Sequence, residues 1–172
     1  PKSVHFYRDR MADCYDFSRA VTDGRWYYVR NFMPHRPRGR DCRYGFQVQA
    51  NWVAWEDHYE AGRCDPIQSQ FFQPKPVVEF FDTDTDPWLV ENLADQNEHK
   101  ARMSKLEEDL DDWMIQTRDT GIIPEAMFAD LAGPDKSFNS LYEYAQSDQY
   151  PIAELLAIAK DAALGAPDKL PD

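Results

Sequence analysis

The chain has 172 residues, of which 42% are apolar and 14% aromatic, and carries a formal net charge of −12. That length supports one core with at most a small satellite, and the apolar content excludes wholesale disorder. No run of about 18 apolar residues encodes a membrane span, and the acidic balance argues against general nucleic-acid binding, which needs a cationic footprint.

The chain starts Pro1-Lys-Ser-Val, with no initiator Met, apolar signal core or cleavage site, and is expected to be an excised or truncated piece. Residues 4–7 read as a short strand. Residues 18–22 and 26–30 read as a hairpin turned by Asp23-Gly24, since Gly readily adopts the positive φ of a tight turn. Trp26, Tyr28 and Arg30 then share one face, and Tyr27, Val29 and Asn31 the other. Residues 31–44 read as a loop, because Pro34 and Pro37 forbid a regular helix. Short helices are expected over 48–59, with Trp52, Trp55 and Tyr59 at helical spacing, and over 66–72, ended by Pro74-Lys-Pro76. Residues 77–81 read as a strand, and Asp82-Thr-Asp-Thr-Asp-Pro87 as a turn.

The strongest helix signal covers 97–117. Asp95 is the expected N-cap, with Glu98 completing a capping box. Met103, Leu106, Leu110, Trp113, Met114 and Thr117 form its apolar stripe, and Gly121 and Pro124 stop it. Residues 126–149 look turn-rich, 151–164 read as a second helix, and the tail after Gly165 is expected to fray. The fold class is α+β. A small antiparallel sheet of about four strands packs on a long amphipathic helix, with a helical extension beyond. The expected division is 1–128 for the sheet unit and 129–172 for the extension.

Chemistry-bearing motifs are few. There is no G-x-S-x-G, P-loop or H-E-x-x-H. His5, His35, His58 and His99 are scattered, and His99 is expected to face solvent. Asp82, Asp84 and Asp86 alternate like an early calcium loop, but Pro87 and Trp88 break it, so a turn is expected. Cys14, Cys42 and Cys64 are an odd set without zinc spacing. At most one bridge can form, and three unlinked thiols are the expectation. Residues 1–44 hold ten Lys/Arg against five Asp/Glu (+5), whereas 45–172 hold nine against twenty-six (−17). The basic stretch contains His35, Arg36, Arg38, Arg40 and Arg43, and guanidinium forks suit sulfate, phosphate and carboxylate. Pairing of these arginines with carboxylates of the same domain is the competing reading.

The order of these elements resembles the C-terminal end of the sulfatase family. The resemblance is carried by Arg8-Asp9-Arg10-Met11, Arg19-Ala-Val-Thr-Asp-Gly-Arg25, Gln73-Pro-Lys-Pro76, Glu79-Phe-Phe-Asp82, Asp86-Pro87, Glu91-Asn-Leu-Ala94 and Asp119-Thr-Gly-Ile-Ile-Pro-Glu125, over about residues 5–128. Residues 137–164 resemble an extension found in larger members. The likeness is greatest to bacterial members related to heparan N-sulfatases and arylsulfatases.

The resemblance implies a subdomain that packs beside a missing N-terminal catalytic domain related to alkaline phosphatase. In the family that domain holds Ca2+ and a formylglycine made from Cys or Ser in a C/S-x-P-x-R motif. Cys64-Asp-Pro66-Ile-Gln68 has Gln68 in place of the Arg and stands in the wrong place, so no catalytic or metal residue is carried over. The isolated chain is expected to be inactive. The parent would hydrolyse sulfate esters or sulfamates of anionic saccharides in the periplasm or outside the cell. His35, Arg36, Arg38 and Arg40 would line its substrate rim. The rival readings are a non-catalytic anion-binding module and part of a phosphate or phosphonate ester hydrolase of the same superfamily.

Overall fold

A computed structural model describes residues 2–11, 13–39, 42–131 and 138–165. Strands β1 (Val4–Arg8), β2 (Ser18–Thr22) and β3 (Trp26–Asn31) form an antiparallel meander, with Val21 opposite Tyr28 and His5 opposite Val21. The expected hairpin forms. Gly24 takes φ +106°, and the Asp23 carboxylate accepts the N–H groups of Arg25 (3.1 Å) and Trp26 (2.8 Å). A side chain that closes its own turn in this way explains why Asp precedes the Gly.

The connection from 32 to 77 carries α1 (Arg43–Val48), α2 (Ala50–Glu60), α3 (Pro66–Ser69) and a 3₁₀ turn, Gln70–Phe72. The chain then returns beside β3 as β4 (Val78–Asp82), giving the sheet order β1-β2-β3-β4. Helix α1 begins inside the stretch expected as loop. Its first N–H groups, from Arg43 and Tyr44, are accepted by Asp13 of the β1–β2 connection, so the cap comes from a remote segment.

Helix α4 (Lys100–Gln116) follows a 3₁₀ turn at Asn97–His99. It contains no Gly or Pro, and its stripe of Leu106, Leu110 and Met114 is buried against Val21, Trp26, Tyr28 and Phe80 of the sheet. Each such fully buried side chain contributes about 1.5–3 kcal/mol of transfer free energy. Two local expectations fail. No Asp95–Glu98 capping box forms, since neither helix start there has a side-chain cap. His99 does not face solvent: the 3₁₀ turn lays its ring 5.0 Å from Trp26 and 5.8 Å from Phe80.

Beyond α4 the expected turns are largely helix: α5 (Glu125–Leu131) and α6 (Phe138–Gln146) precede α7 (Ile152–Gly165). The turn signal came partly from Gly133-Pro134 and Ser137, which lie outside the described residues, and from Asn139 and Ser140, which fall in the first turn of α6. The expected fraying after Gly165 also lies outside them. Ile123, Leu141, Ala145, Tyr150 and Ile152 make a satellite core, while Leu156 joins the main one. Arg118, at φ +53°, donates to the carbonyls of Ala145 and Ser147 and fastens α6 to the end of α4. Lys160 of α7 reaches Glu107 and Asp111 of α4, each at 2.7 Å. Among the described residues, no helix is long and apolar enough to cross a membrane.

Candidate functional site

The basic stretch after β3 is clamped on both sides. The Pro34 carbonyl accepts Lys75 N–H (2.8 Å), and Gly39 N–H donates to the Phe71 carbonyl (2.9 Å). A Cβ on Gly39 would lie 2.0 Å from the Phe71 ring, so this approach requires glycine. Arg36 donates to the Tyr15 carbonyl at 2.8 Å. The remaining anchor is a disulfide between Cys14 and Cys42, with Cα atoms 4.7 Å apart. This corrects the expectation of three unlinked thiols; Cys64 alone is free. The hairpin brings the β1–β2 connection and the basic loop to the same end of the sheet, with Ser18 opposite Asn31, a proximity that spacing along the chain does not express.

The four predicted site residues are not equivalent. His35 is exposed, and its pKa is lowered by partial desolvation of the ring and by the charges of Arg36 and Lys75, so the neutral imidazole prevails at pH 7. Arg36 lies across the Tyr15 ring (5.9 Å). Arg38 pairs through Nη2 with Glu79, whose side chain is buried; among the described residues Nε and Nη1 have no such partner. Arg40 lies outside the described residues. Arg38 thus pairs through one nitrogen with a carboxylate of its own domain.

Sequence reasoning missed the polar network that seats this loop. Glu79 also accepts Asn31 Nδ2 (3.3 Å), which in turn donates to the Pro76 carbonyl (2.8 Å), while Ser18 Oγ donates to Asn31 Oδ1 (2.8 Å). Nearby, Lys75 Nζ meets Asp16 Oδ1 at 2.5 Å with both side chains buried, and Arg8 Nε lies 3.3 Å from Asp16 Oδ2. Burial pulls the Lys75 pKa down, with Asp16 opposing. Only the word Gln73-Pro-Lys-Pro76 hinted at a role for this lysine.

These groups form one end of a trough of about 680 Å³ on the sheet face opposite α4. Its other end is apolar, lined by Phe6, Tyr27, Val29, Phe81, Trp88 and Leu89. An antiparallel sheet with one solvated face places polar residues there. Here both faces carry aromatic side chains.

The sequence words that carry the resemblance also acquire a physical meaning. Arg19, only 2% exposed, makes a two-pronged pair with Asp119 (2.6 and 2.9 Å) and reaches Asp9 Oδ1 at 2.9 Å. Burial disfavours its charge, but the hydrogen bonds and charges of Asp119 and Asp9 more than offset this and hold its pKa above the usual value. Arg10 pairs with Glu125 at 2.6 Å. The first, second and last words of the series therefore meet in space.

No family model matches the chain. Over 124 residues, 72% of its length, it is 30% identical to an ulvan-active sulfatase of Formosa agariphila. This chain is similar to a sulfatase. It spans about a fifth (21%) of the length of that curated relative.

The calcium and formylglycine implied by the sulfatase resemblance do not fit the residues present. Asp82 is held by Arg25 (2.6 and 2.9 Å), Asp84 lies 3.4 Å from the same guanidinium, and Asp86 Oδ2 accepts the N–H groups of Val90 and Glu91. The Cys64-Asp-Pro66 segment is a helix start. Asp65 accepts Gln68 N–H (2.8 Å) and Gln68 answers to Asp65 N–H (3.1 Å), a capping box with Pro at the first helical position. Asp13, Cys14 and Cys42 cluster within 4.8 Å, but the disulfide removes both sulfurs as thiolate ligands.

Proposed function

We propose that this chain is the C-terminal subdomain of a sulfatase that hydrolyses sulfate esters or sulfamates of anionic saccharides, and that it supplies stability and part of the substrate rim. The observation that carries this reading is the 30% identity to a sulfatase over 124 residues, confined to 21% of that protein. Catalysis, with its calcium and formylglycine, then belongs to an N-terminal portion outside this chain. The open trough on this face, bordered by the exposed rings of Phe6 and Trp88, supports such a partner, because a two-sided apolar sheet needs a second layer.

The rim is His35, Arg36, Arg38 and Arg40, presented on a loop whose clamps limit the ordering cost of binding an anion. A neutral His35 offers both a donor and an acceptor, and Arg38 keeps Nε and Nη1 for an oxyanion while Glu79 fixes its Nη2. The Cys14–Cys42 disulfide supports a periplasmic or extracellular setting, since such bonds persist where the surroundings are oxidising.

The test is kinetic. In the full-length gene product, His35→Ala and Arg38→Ala are expected to lower kcat/KM for a sulfated oligosaccharide about tenfold or more, mainly through KM, in line with the loss of a charged hydrogen bond. Unchanged kcat/KM removes the rim assignment. Turnover of phosphate esters in preference to sulfate esters moves the parent to a phosphoesterase of the same superfamily. Anion binding with no turnover by the full-length product favours a binding module.

A further inference from the structure

Trp88 is 85% exposed, the most exposed of the large apolar side chains among the described residues, and it makes no ring contact within them. It nevertheless stands on a rigid support. Asp86 Oδ2 accepts Val90 N–H at 2.7 Å and Glu91 N–H at 2.8 Å, and the Asp86 carbonyl accepts Leu89 N–H at 3.2 Å. Leu89 sits at φ +56°, a left-handed conformation that a leucine holds only when its surroundings impose it. The following residues strap this turn to the sheet. Asn92 Oδ1 accepts Phe80 N–H (2.9 Å), Asn92 Nδ2 donates to the Val78 carbonyl (3.1 Å), and Leu93 N–H donates to the Phe80 carbonyl (2.8 Å). A costly backbone and a full set of hydrogen bonds thus hold a large indole in water beside the apolar half of the trough.

Trp side chains presented on a fixed backbone turn are common anchors of protein interfaces, where burial of the ring needs little further ordering of the main chain. We infer that Trp88 is the anchor by which this unit is seated on the rest of the protein, its ring buried by an apolar element of the portion outside this chain. The inference rests on the proposed function for the identity of that partner.

A saccharide is the other occupant an exposed indole could take. The surroundings favour protein. The apolar end of the trough is walled by Tyr27, Val29, Phe81 and Leu89, and at the polar end Asn31 and Arg38 are bonded to Glu79 and Lys75 to Asp16, which leaves the exposed amides of Gln70 and Gln73 for a sugar. A sugar ring stacked on Trp88 at the apolar end would meet few partners for its hydroxyls. Arg8, which shares Asp16 with Lys75 and keeps 45% of its side chain exposed, adds a cation that an acidic group on the protein partner would match.

Residue-resolved hydroxyl-radical footprinting tests this without a variant. The Trp88 modification rate is measured in the 172-residue chain and in the full-length gene product, with and without a sulfated oligosaccharide. The expected result is about tenfold slower modification of Trp88 in the full-length protein, independent of saccharide, as for a desolvated interface anchor. Equal rates in the two proteins overturn the inference, as does protection that develops only on adding the oligosaccharide. Protection in a full-length protein with no sulfatase activity would sink the proposed function and leave the anchor standing. Equal rates in an active sulfatase would do the reverse.

Discussion

Arg19 and Asp119 stand 100 positions apart in sequence and meet through two hydrogen bonds of 2.6 and 2.9 Å, with the guanidinium almost fully buried. The pair joins β2 to the end of α4, and Asp9 completes it from the β1–β2 connection. Breaking a buried ion pair from one side leaves a charge without compensation. Asp119→Ala is therefore expected to lower unfolding free energy by about 3–5 kcal/mol, measured by urea denaturation. Gly121→Ala should act at the same point, because its Cβ would lie 2.0 Å from Arg19 Nη2.

The Cys14–Cys42 bridge spans a sequence separation of 28. Loop-closure entropy for a segment of that size gives roughly 3–4 kcal/mol of stabilisation. Reductant, or the Cys14→Ser/Cys42→Ser double variant, should lower the unfolding free energy by that amount and move the urea midpoint down accordingly. It should also expose the Tyr15–Arg36 contact to hydrogen exchange before α4 opens. A midpoint insensitive to reductant would show that the bridge carries no constraint.

Glu107 ties three elements, accepting Arg30 of β3 and Lys160 of α7 from its place on α4. Burial pushes its carboxyl pKa up, but the hydrogen bond from Lys160 and the charges of Arg30 and Lys160 prevail and hold it below the ordinary 4.5. A carboxylate with a depressed folded-state pKa contributes stability that is present above 4.5 and lost as pH falls through the folded value. The wild-type protein should therefore lose stability below about pH 4.5 with a steeper slope than Glu107→Gln, read by denaturation across pH 3–6. Parallel profiles for the two proteins would contradict the sign and the cause.

Much of this fold was legible in sequence because its signals are local. Asp23-Gly24 between two alternating runs defines the hairpin, and the stripe Leu106, Leu110, Met114 identifies both α4 and the face it buries. What escaped was made by proximity across the chain. Asp13 caps α1 from thirty positions away, His99 is turned inward by a 3₁₀ turn, and Cys14 lies beside Cys42 because β2 pairs with β3. The candidate site divides in the same way. The cluster of His35 and arginines was visible as composition, whereas the Glu79 carboxylate that fixes Arg38 and the Asp16–Lys75 pair beneath the loop depend on long-range contacts. The words that carried the sulfatase resemblance were recognisable as an order of residues. Their physical reason, the meeting of Asp9, Arg19 and Asp119, appears only in the folded chain.

The decisive measurement is sulfate release from a sulfated polysaccharide, followed side by side for the 172-residue chain and for the full-length gene product at matched concentration. If this chain is an accessory portion of a sulfatase, the full-length protein turns the polymer over and the chain alone releases no sulfate. Sulfate release by the chain alone would contradict that assignment outright.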